Sequence, residues 1–442
     1  MTQAATLTTS PAGAVRSLSR HDVKTLSLAA LGGALEFYDF VVFVFFAIPL
    51  STLFFPHSTA PWLAQLQTYG IFAAGYLARP LGGIVMAHFG DRLGRKRMFT
   101  LSVFLMALPT LAIGFLPVYE QVGLLAPLLL LMMRVVQGIA IGGEVPGAWV
   151  FVAEHAPAGR VGFACASLTS GLTVGILIGS LTASWINHHL APADLLRWGW
   201  RVPFLLGGVF GFVAVWLRRW LSETPVFTAM RERKELSREL PLRTVLNNHG
   251  KGVLLSMLVT WVLTAAILVL ILMLPNLVQK QFHIDADTAF LGNSFAAFSL
   301  CLGCLAYGWL VDRAGERWAL LMGSLALIAG TYALFGDLAH GGGYFLWLYP
   351  VLGFLVGVVG VIPTVMVTAF PAPIRYSGLS FAYNVAYAVF GASTATLIDY
   401  MAERVGRMAP AHYVALTALV SALVAVYLLI EGRDSRAAPS EL

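Results

Sequence analysis

The chain has 442 residues, of which 58% are hydrophobic and 11% are charged, and its formal net charge is +6. Soluble proteins carry about 25% charged residues, so this composition excludes a soluble globular domain and indicates an integral membrane protein. The cations lie mainly in loops on one side of the predicted membrane, which is typical of membrane topology and argues against nucleic-acid binding.

The chain begins with a polar stretch. Residues 1–24 contain Arg16, Arg20 and Lys24, and we expect them to form a cytoplasmic N-terminal tail. The apolar run that begins near Leu26 is too long for the core of a signal peptide and lacks a small-residue cleavage pattern. We therefore expect it to remain as the first membrane helix.

Long apolar runs then recur along the chain, and each can cross about 30 Å of hydrocarbon as a helix. They divide into an N-terminal six-helix bundle at 25–220 and a C-terminal six-helix bundle at 251–431. An even number of spans places both termini on the same side. The predicted spans are 25–54, 64–88, 97–117, 123–153, 160–188, 200–220, 251–279, 287–310, 316–337, 344–370, 376–400 and 410–431.

A basic hinge separates the second and third spans. It consists of Asp91 and four cations, which are Arg92, Arg95, Lys96 and Arg97. Short loops rich in Lys and Arg stay inside the cell. We therefore expect this loop and both termini on the cytoplasmic side of a cell inner (plasma) membrane.

The hinge has a second copy in the other half of the chain. Asp312 matches Asp91 at an offset of 221 residues (312 − 91), and the arginine and glycine that follow each aspartate match as well. A repeat at half the chain length predicts two pseudo-symmetric halves. The predicted fold is therefore all-α and integral to the membrane, with twelve transmembrane helices in two six-helix halves.

The longest hydrophilic interruption is the predicted cytoplasmic linker at 221–250, where charges of both signs recur at helical spacing from Arg231 to Arg243. This pattern predicts an amphipathic helix along the membrane face. A solvated tether between the halves is the expected role, and a regulatory or lipid-binding role is the alternative. Residues 432–442 are predicted to be a short cytoplasmic tail without heptads.

Acidic residues inside the predicted spans need an explanation, because a charged side chain at mid-bilayer costs at least about 2.5–3.5 kcal/mol. Glu36 and Asp39 are three residues apart in the first span and share a helix face. Two carboxylates in a low-dielectric interior cannot both ionise cheaply, which predicts a proton carrier. The alternative is that either one pairs with a buried arginine. Glu144 in the fourth span is the third candidate for proton coupling.

Two arginines lie inside the spans and stay charged there. We therefore expect them either to pair with the carboxylates or to form a fixed anion-binding site. The C-terminal half is poor in buried charge and supplies neutral polar groups in the eleventh span. These groups predict hydrogen bonds to a substrate in a cavity, with packing as the alternative role. The predicted substrate-binding residues are Arg79, Arg134, Gln137, Tyr38, Tyr383, Asn384 and Tyr387.

Catalytic and metal motifs are not evident in the sequence. Cys301 and Cys304 copy the spacing of a redox or zinc motif but lack a second ligand pair, so we expect them to pack. The spans contain no His-rich or Cys/His constellation. We therefore expect no catalytic residue, no metal and no cofactor, and we disfavour a membrane-embedded enzyme or receptor.

The hinge and its half-length repeat resemble the signature of the major facilitator superfamily. The resemblance extends to the metabolite:proton symporter branch, which includes proline/betaine, citrate, shikimate and 2-oxoglutarate carriers. It covers nearly the whole chain, with one departure at Ala87, where the family hinge usually has glycine. The residues that carry it are Gly32–Phe40, Ala78–Gly83, Gln137-Gly138, Gly142–Glu144, Trp198–Phe204, Glu223–Phe227 and Tyr383–Tyr387.

The resemblance implies alternating access, with a small-molecule substrate bound between the two halves at mid-membrane. Protons and the lipid bilayer are the other implied partners, and we expect the protein to function as a monomer. It also implies that the hinge charges brace the cytoplasmic side, to which Glu154 at the end of the fourth span adds a candidate contact. The predicted gating residues are Asp91, Arg92, Arg95, Lys96, Asp312, Arg313 and Glu154.

The two fixed cations favour proton-coupled symport of a small organic acid, a di- or tricarboxylate-like metabolite. One alternative is uptake of a zwitterionic osmolyte such as betaine or proline, whose ammonium group would suit the aromatic residues of the first span. The short C-terminal tail predicts that the protein is not an osmosensor. The other alternative is proton-driven export of a metabolite, siderophore or drug.

Overall fold

A computed structural model describes residues 20–93, 95–156, 159–218, 241–371 and 374–431. Within these ranges the chain is helical apart from short connections, and it contains no strand. Apolar spans form helices because a helix satisfies its own backbone hydrogen bonds where no water is present.

Twelve long helices account for most of the described residues. Short helices at Tyr119–Val122, Pro192–Asp194 and Pro241–Asn248 lie in connections. The long helices are α1 (Arg20–Phe45, continued by Ala47–Phe54), α2 (Pro61–Leu93), α3 (Arg95–Phe115), α4 (Leu125–Ile141, continued by Glu144–His155), α5 (Val161–His189), α6 (Arg201–Arg218), α7 (Gly250–Phe282), α8 (Ala286–Ala314), α9 (Glu316–Ala339), α10 (Phe345–Thr368), α11 (Arg375–Arg404) and α12 (Ala409–Glu431).

Among the described residues, eight helices are long and apolar enough to cross a membrane, and two bent pairs raise the number to ten. The bend in the first pair is 60°, between Gly33–Phe45 and Ala47–Phe54, and the bend in the second is 43°, before α6. The remaining two, α2 and α3, meet at the basic hinge. These twelve helices correspond one to one with the twelve predicted spans.

The helix pairings repeat with an offset of six helices. In the first half α1 packs on α5 and α6, α2 packs on α4, and α3 packs on α6. In the second half α7 packs on α11 and α12, α8 packs on α10, and α9 packs on α12. The halves meet along α5–α8 and along α2–α11, which are equivalent pairs under the same offset. The pseudo-symmetry predicted from the hinge repeat is therefore visible in the packing.

Several helices of the described ranges, among them α4, α7, α10 and α11, are irregular where they face the other half. α4 breaks at Gly142–Gly143, between its segments Leu125–Ile141 and Glu144–His155. α7 and α11 contain π-helical turns at Leu268–Met273 and Tyr387–Gly391. Such turns free backbone carbonyls from the helical pattern and are frequent at functional sites.

Glycine allows α2 and α4 to cross in backbone contact. A Cβ at Gly138 would fall on the carbonyl oxygen of Gly75, and a Cβ at Gly82 would fall on that of Ile139. Small residues that let backbones approach are typical of helix crossings in membranes. The crossing places Arg79 of α2 on a helix packed directly against the one that carries Arg134.

Parts of the predicted domain plan lie outside the described residues. These are residues 1–19, the stretch 219–240 with most of the predicted linker helix, and the tail 432–442. Pro241–Asn248, at the end of the predicted linker, is helical.

Candidate functional site

Arg79 lies at the α2–α11 contact between the halves and is 2% exposed. Its guanidinium carbon lies 4.1 Å from the ring centroid of Tyr387, 5.2 Å from that of Tyr383 and 5.7 Å from that of Tyr76. Cation–π contacts stabilise the guanidinium without consuming its N–H donors. Nε and Nη2 have no hydrogen-bond partner, so this buried cation keeps donors for an anion.

Arg134 occupies a second aromatic cage, within the first half, and is 0% exposed. Its guanidinium carbon lies 4.6 Å from the centroids of both Phe40 and Phe43 and 4.9 Å from that of Phe72. Nη1 donates to Oε1 of Gln137 at 2.7 Å, while Nε and Nη2 have no partner. Arg134 therefore also keeps two nitrogens, Nε and Nη2, whose N–H donors are unused.

Tyr76 joins the two arginine clusters. Its ring centroid lies 5.3 Å from that of Tyr387 on the Arg79 side and 5.1 Å from that of Phe40 on the Arg134 side. Sequence analysis did not select Tyr76. The sequence feature that could have indicated Tyr76 is its position three residues before Arg79, which places both side chains on the same face of α2. The structure thus brings four predicted binding residues, Arg79, Arg134, Tyr383 and Tyr387, around one unpredicted tyrosine.

Asp39 lies against α6, next to Thr110 of α3. It is 1% exposed, and neither carboxylate oxygen has a hydrogen-bond partner. A Cβ at Gly207 would lie 2.5 Å from Oδ1, and a Cβ at Gly211 would lie 3.2 Å from Oδ2, so glycines of α6 make room for this carboxyl group. The predicted alternative, an ion pair with a buried arginine, is not formed by Asp39 among the described residues.

Three further residues of α1 and α4 were predicted for proton coupling or substrate binding. Tyr38 donates from its hydroxyl to the carbonyl of Pro203 in α6 at 3.0 Å. Glu144 is 6% exposed and accepts a hydrogen bond from the Ser102 hydroxyl of α3 at 3.3 Å. The side chain of Glu36 falls outside the described residues. The roles predicted for these three residues stay predictions.

The break in α4 is held by α11 of the other half. The side-chain amide of Asn384 donates to the carbonyl of Gly142, and the Tyr376 hydroxyl donates to the carbonyl of Gly143 at 3.0 Å. The carbonyl oxygen of the Asn384 side chain is buried without a partner. Asn384 therefore has a contact between the halves that the sequence did not predict.

The second copy of the hinge also joins the halves. The carboxylate of Asp312 in α8 accepts a hydrogen bond from the backbone N–H of Phe163, at 3.2 Å to Oδ1 and 3.3 Å to Oδ2. Phe163 lies in the first turn of α5, where N–H groups lack helical partners and the helix dipole favours negative charge. The guanidinium carbon of Arg313 lies 4.3 Å from the ring centroid of Trp309. The side chains of the other predicted gating residues, Asp91, Arg92, Arg95, Lys96 and Glu154, lie outside the described residues.

A charged group at the opposite end of the second half was not predicted as a site. Lys280 of α7 contacts Glu403 at 2.7 Å and Asp399 at 3.4 Å, both on α11. Asp399 is 2% exposed and is thus a paired buried carboxylate, unlike Asp39.

Comparison with known proteins identifies relatives along nearly the whole chain. The family model described as Major Facilitator Superfamily matches residues 29–396. The glycine betaine/proline/ectoine/pipecolic acid transporter of Dickeya dadantii is 29% identical over 422 residues, with 92% of this chain and 83% of that protein covered. The putative proline/betaine transporter of Staphylococcus haemolyticus is 31% identical, with 92% and 87% covered.

Solved structures share the fold. The xylose transporter XylE from E. coli, in a partially occluded inward-open conformation, matches with a TM-score of 0.73 at 17% identity and covers 93% of this chain and 98% of that chain. The proton:xylose symporter XylE bound to 6-bromo-6-deoxy-D-glucose matches with a TM-score of 0.77, also at 17% identity. The predicted all-α fold with twelve helices in two halves is confirmed.

Proposed function

The chain belongs to the major facilitator superfamily, and from that premise we propose that it imports a small zwitterion together with protons. It is a multi-pass membrane transporter and not an enzyme. The observation that carries the proposal is the pair of buried guanidiniums with unused donors, one of which lies at the contact between the halves. A carboxylate matches such donors in charge and geometry.

The relatives favour the zwitterionic alternative over the organic acid expected from the sequence. These transporters are named for substrates that include proline and betaine, and they match along more than nine-tenths of this chain. A zwitterion of this kind places one carboxylate against Arg79 or Arg134. Tyr76, Tyr383 and Tyr387 already surround the Arg79 guanidinium, so with the carboxylate against Arg79 the ammonium group lies on the side of that carboxylate away from Arg79.

We assign the proton to Asp39. An ionised carboxylate that is buried without a partner costs several kcal/mol, so the packing around Asp39 suits its neutral form. Loss of the proton then requires a conformation in which water or a donor reaches the carboxyl group. Protonation of Asp39 is thereby coupled to the conformation of the protein. Glu36 and Glu144 remain secondary candidates for the same role.

The two halves are proposed to rock about the substrate, opening α5–α8 and α2–α11 at each end in turn. We place the hinge end, with both termini and the linker at 221–250, in the cytoplasm of a bacterial-type inner membrane, because the basic residues cluster there. The bundles at 25–220 and 251–431 are then the moving bodies. A single chain contains both, so a monomer suffices for the cycle.

Uptake into proteoliposomes with an imposed inward proton gradient tests the proposal. Labelled proline, glycine betaine, citrate and 2-oxoglutarate are compared at the same concentration. Accumulation of either zwitterion above the equilibrium level, abolished by a protonophore, is the expected result. Export of a preloaded compound, with no accumulation of any of the four, would contradict import and support the exporter alternative.

A second candidate function is symport of an organic acid. It is favoured because two neighbouring guanidiniums of the described residues, those of Arg79 and Arg134, keep unused donors. Two fixed cations can bind two carboxylates. Accumulation of citrate or 2-oxoglutarate without either zwitterion in the same experiment would select this function.

A further inference from the structure

A chain of hydrogen bonds runs from Arg134 into α3. Nη1 of Arg134 donates to Oε1 of Gln137 at 2.7 Å, and Nε2 of Gln137 donates to Oγ1 of Thr110 at 2.7 Å. The Thr110 hydroxyl donates in turn to the carbonyl of Met106 at 2.9 Å. Arg134, Gln137 and Thr110 are each 0% exposed, so the chain is shielded from water and each member depends on the next.

The end of this chain lies beside Asp39. A Cβ at Gly207 would be 2.5 Å from Oδ1 of Asp39 and 2.8 Å from the methyl group of Thr110, so both side chains flank the same glycine of α6. Two glycines of α6, Gly207 and Gly211, lie against the carboxyl group of Asp39, and the hydroxyl of the neighbouring Tyr38 donates to the carbonyl of Pro203. Thr110 is therefore a polar side chain of α3 that lies next to Asp39 and is hydrogen-bonded through Gln137 to Arg134.

The hydrogen-bond capacity of Thr110 distinguishes the two forms of Asp39. A hydroxyl has one donor and two acceptor lone pairs. Thr110 uses its donor on Met106 and one lone pair on Gln137, which leaves one acceptor position. Neither oxygen of Asp39 is hydrogen-bonded in this conformation, so a protonated Asp39 can donate into that position once the two side chains approach each other. An ionised Asp39 has no proton to donate, and it can bind Thr110 only if the hydroxyl turns away from Met106.

We propose that Thr110 and Gln137 are positioning residues that couple protonation of Asp39 to the hydrogen bonding of Arg134. When Asp39 loses its proton, the Thr110 hydroxyl reorients, and the change passes through Gln137 to the guanidinium. Anion binding at Arg134 then differs between the two protonation states. By linkage, the bound anion also alters proton binding at Asp39. This inference rests on the proposed function, because it assigns the route by which proton and substrate sites communicate.

The test separates coupling from transport. Proteoliposomes with Thr110→Val, Thr110→Ser and wild type are compared for accumulation of labelled proline under a proton gradient and for counterflow of proline at equal pH. Counterflow requires binding and alternating access but no net proton movement. Thr68→Val is the matched control, because Thr68 is also 0% exposed and donates to a carbonyl four residues earlier, that of Ala64, at 2.9 Å.

Thr110→Val is expected to lower gradient-driven accumulation at least about tenfold while counterflow stays near the wild-type rate. Thr110→Ser, which keeps the hydroxyl, and Thr68→Val are expected to behave as wild type in both assays. Unchanged accumulation in Thr110→Val, or an equal loss of accumulation and counterflow, would overturn the inference. Absence of gradient-driven accumulation in the wild type would instead contradict the proposed function, and the two failures are thereby distinguished.

Discussion

At the residue scale, Arg79 carries the proposed recognition of a carboxylate. Removing the guanidinium removes a charge-assisted contact worth about 1.5–3 kcal/mol, which corresponds to roughly ten- to hundredfold in affinity. Arg79→Gln is therefore expected to raise the half-saturating substrate concentration in counterflow by that factor. Arg79→Lys keeps the charge but loses the planar fork and the stacking on Tyr387, so an intermediate loss is expected.

Arg197→Gln is the control for Arg79, because Arg197 lies in the connection before α6, outside the arginine clusters. It is expected to leave the half-saturating concentration unchanged. Wild-type affinity in Arg79→Gln would remove Arg79 from the site.

The sequence identified most side chains of the candidate site but not their partners. Arg79 and Arg134 are recognisable because buried charge is costly in any membrane span. Their aromatic cages are not, because Tyr387 lies more than 300 positions after Arg79 and meets it only when the halves assemble. Pairing of Asp39 with a buried arginine was the alternative to its predicted role as proton carrier, and the described residues show Asp39 against glycines of α6 without such a pair. Gly207 and Gly211 of α6 leave the space that the Asp39 carboxyl group occupies, and their role can be recognised only from the packing of α1 against α6.

At the element scale, the close crossing of α2 and α4 depends on Gly82. A Cβ there would fall on the carbonyl oxygen of Ile139, and a backbone atom cannot move aside as a flexible side chain can. Gly82→Ala is expected to lower the yield and melting temperature of the purified protein, because overpacking costs about 1–3 kcal/mol or more.

Gly70→Ala is the matched control in the same helix. A Cβ at Gly70 would meet nothing within 4 Å, and alanine is the better helix former by about 1 kcal/mol. Equal melting temperatures for the two variants would contradict the close crossing.

The N-cap of α8, Asp285, is expected to make a pH-dependent contribution to stability. Asp285 accepts a hydrogen bond from the backbone N–H of Thr288 at 2.8 Å, and this bond lowers the pKa of the carboxyl group below its usual value. A lowered pKa contributes stability above the unfolded-state pKa, and the contribution is lost as pH falls through the folded-state pKa. Asp285→Ala is expected to cost about 1 kcal/mol at neutral pH and progressively less below about pH 4.

Thermal unfolding in detergent across this pH range measures the difference between wild type and Asp285→Ala. Asp285→Asn keeps an N-cap acceptor without a titrating charge, so its stability should not share the pH dependence. A difference between wild type and Asp285→Ala that stays constant down to acid pH would contradict the cap.

Helix positions followed from the sequence because hydropathy alone decides which segments can lie in hydrocarbon. The irregular turns did not follow. Gly142 and Gly143 suggested close packing, and they mark a break whose carbonyls are satisfied by Asn384 and Tyr376 of the other half. A break of this kind is stable only when distant donors are present, and a single segment of sequence does not show them.

At the scale of the whole molecule, we predict that the contact of Asp312 with the first turn of α5 stabilises closure at the hinge end. Asp312→Asn removes the charge that faces the helix dipole, an interaction worth about 0.3–2 kcal/mol, so opening at this end should become about two- to thirtyfold more frequent. Cys165 lies in the next turn of α5 and is 0% exposed. Its labelling by a membrane-permeant maleimide, in a background with Cys301→Ala and Cys304→Ala, measures the opening.

Asp337→Asn serves as the control for Asp312→Asn. Asp337 also accepts from a backbone N–H, that of Tyr344, but both residues belong to the second half. Its labelling rate should match that of the background protein. A rate in Asp312→Asn equal to that of the control would mean that Asp312 does not hold the halves together.

The central claim is that Asp39 couples proton movement to transport. The most direct measurement compares wild type with Asp39→Asn in proteoliposomes, for proline accumulation under an inward proton gradient and for proline counterflow at equal pH. Asparagine imitates the protonated carboxyl group, so counterflow should persist while accumulation falls at least about tenfold. Asp399→Asn, a buried carboxylate next to Lys280, should retain both activities. Gradient-driven accumulation at the wild-type level in Asp39→Asn would contradict the account.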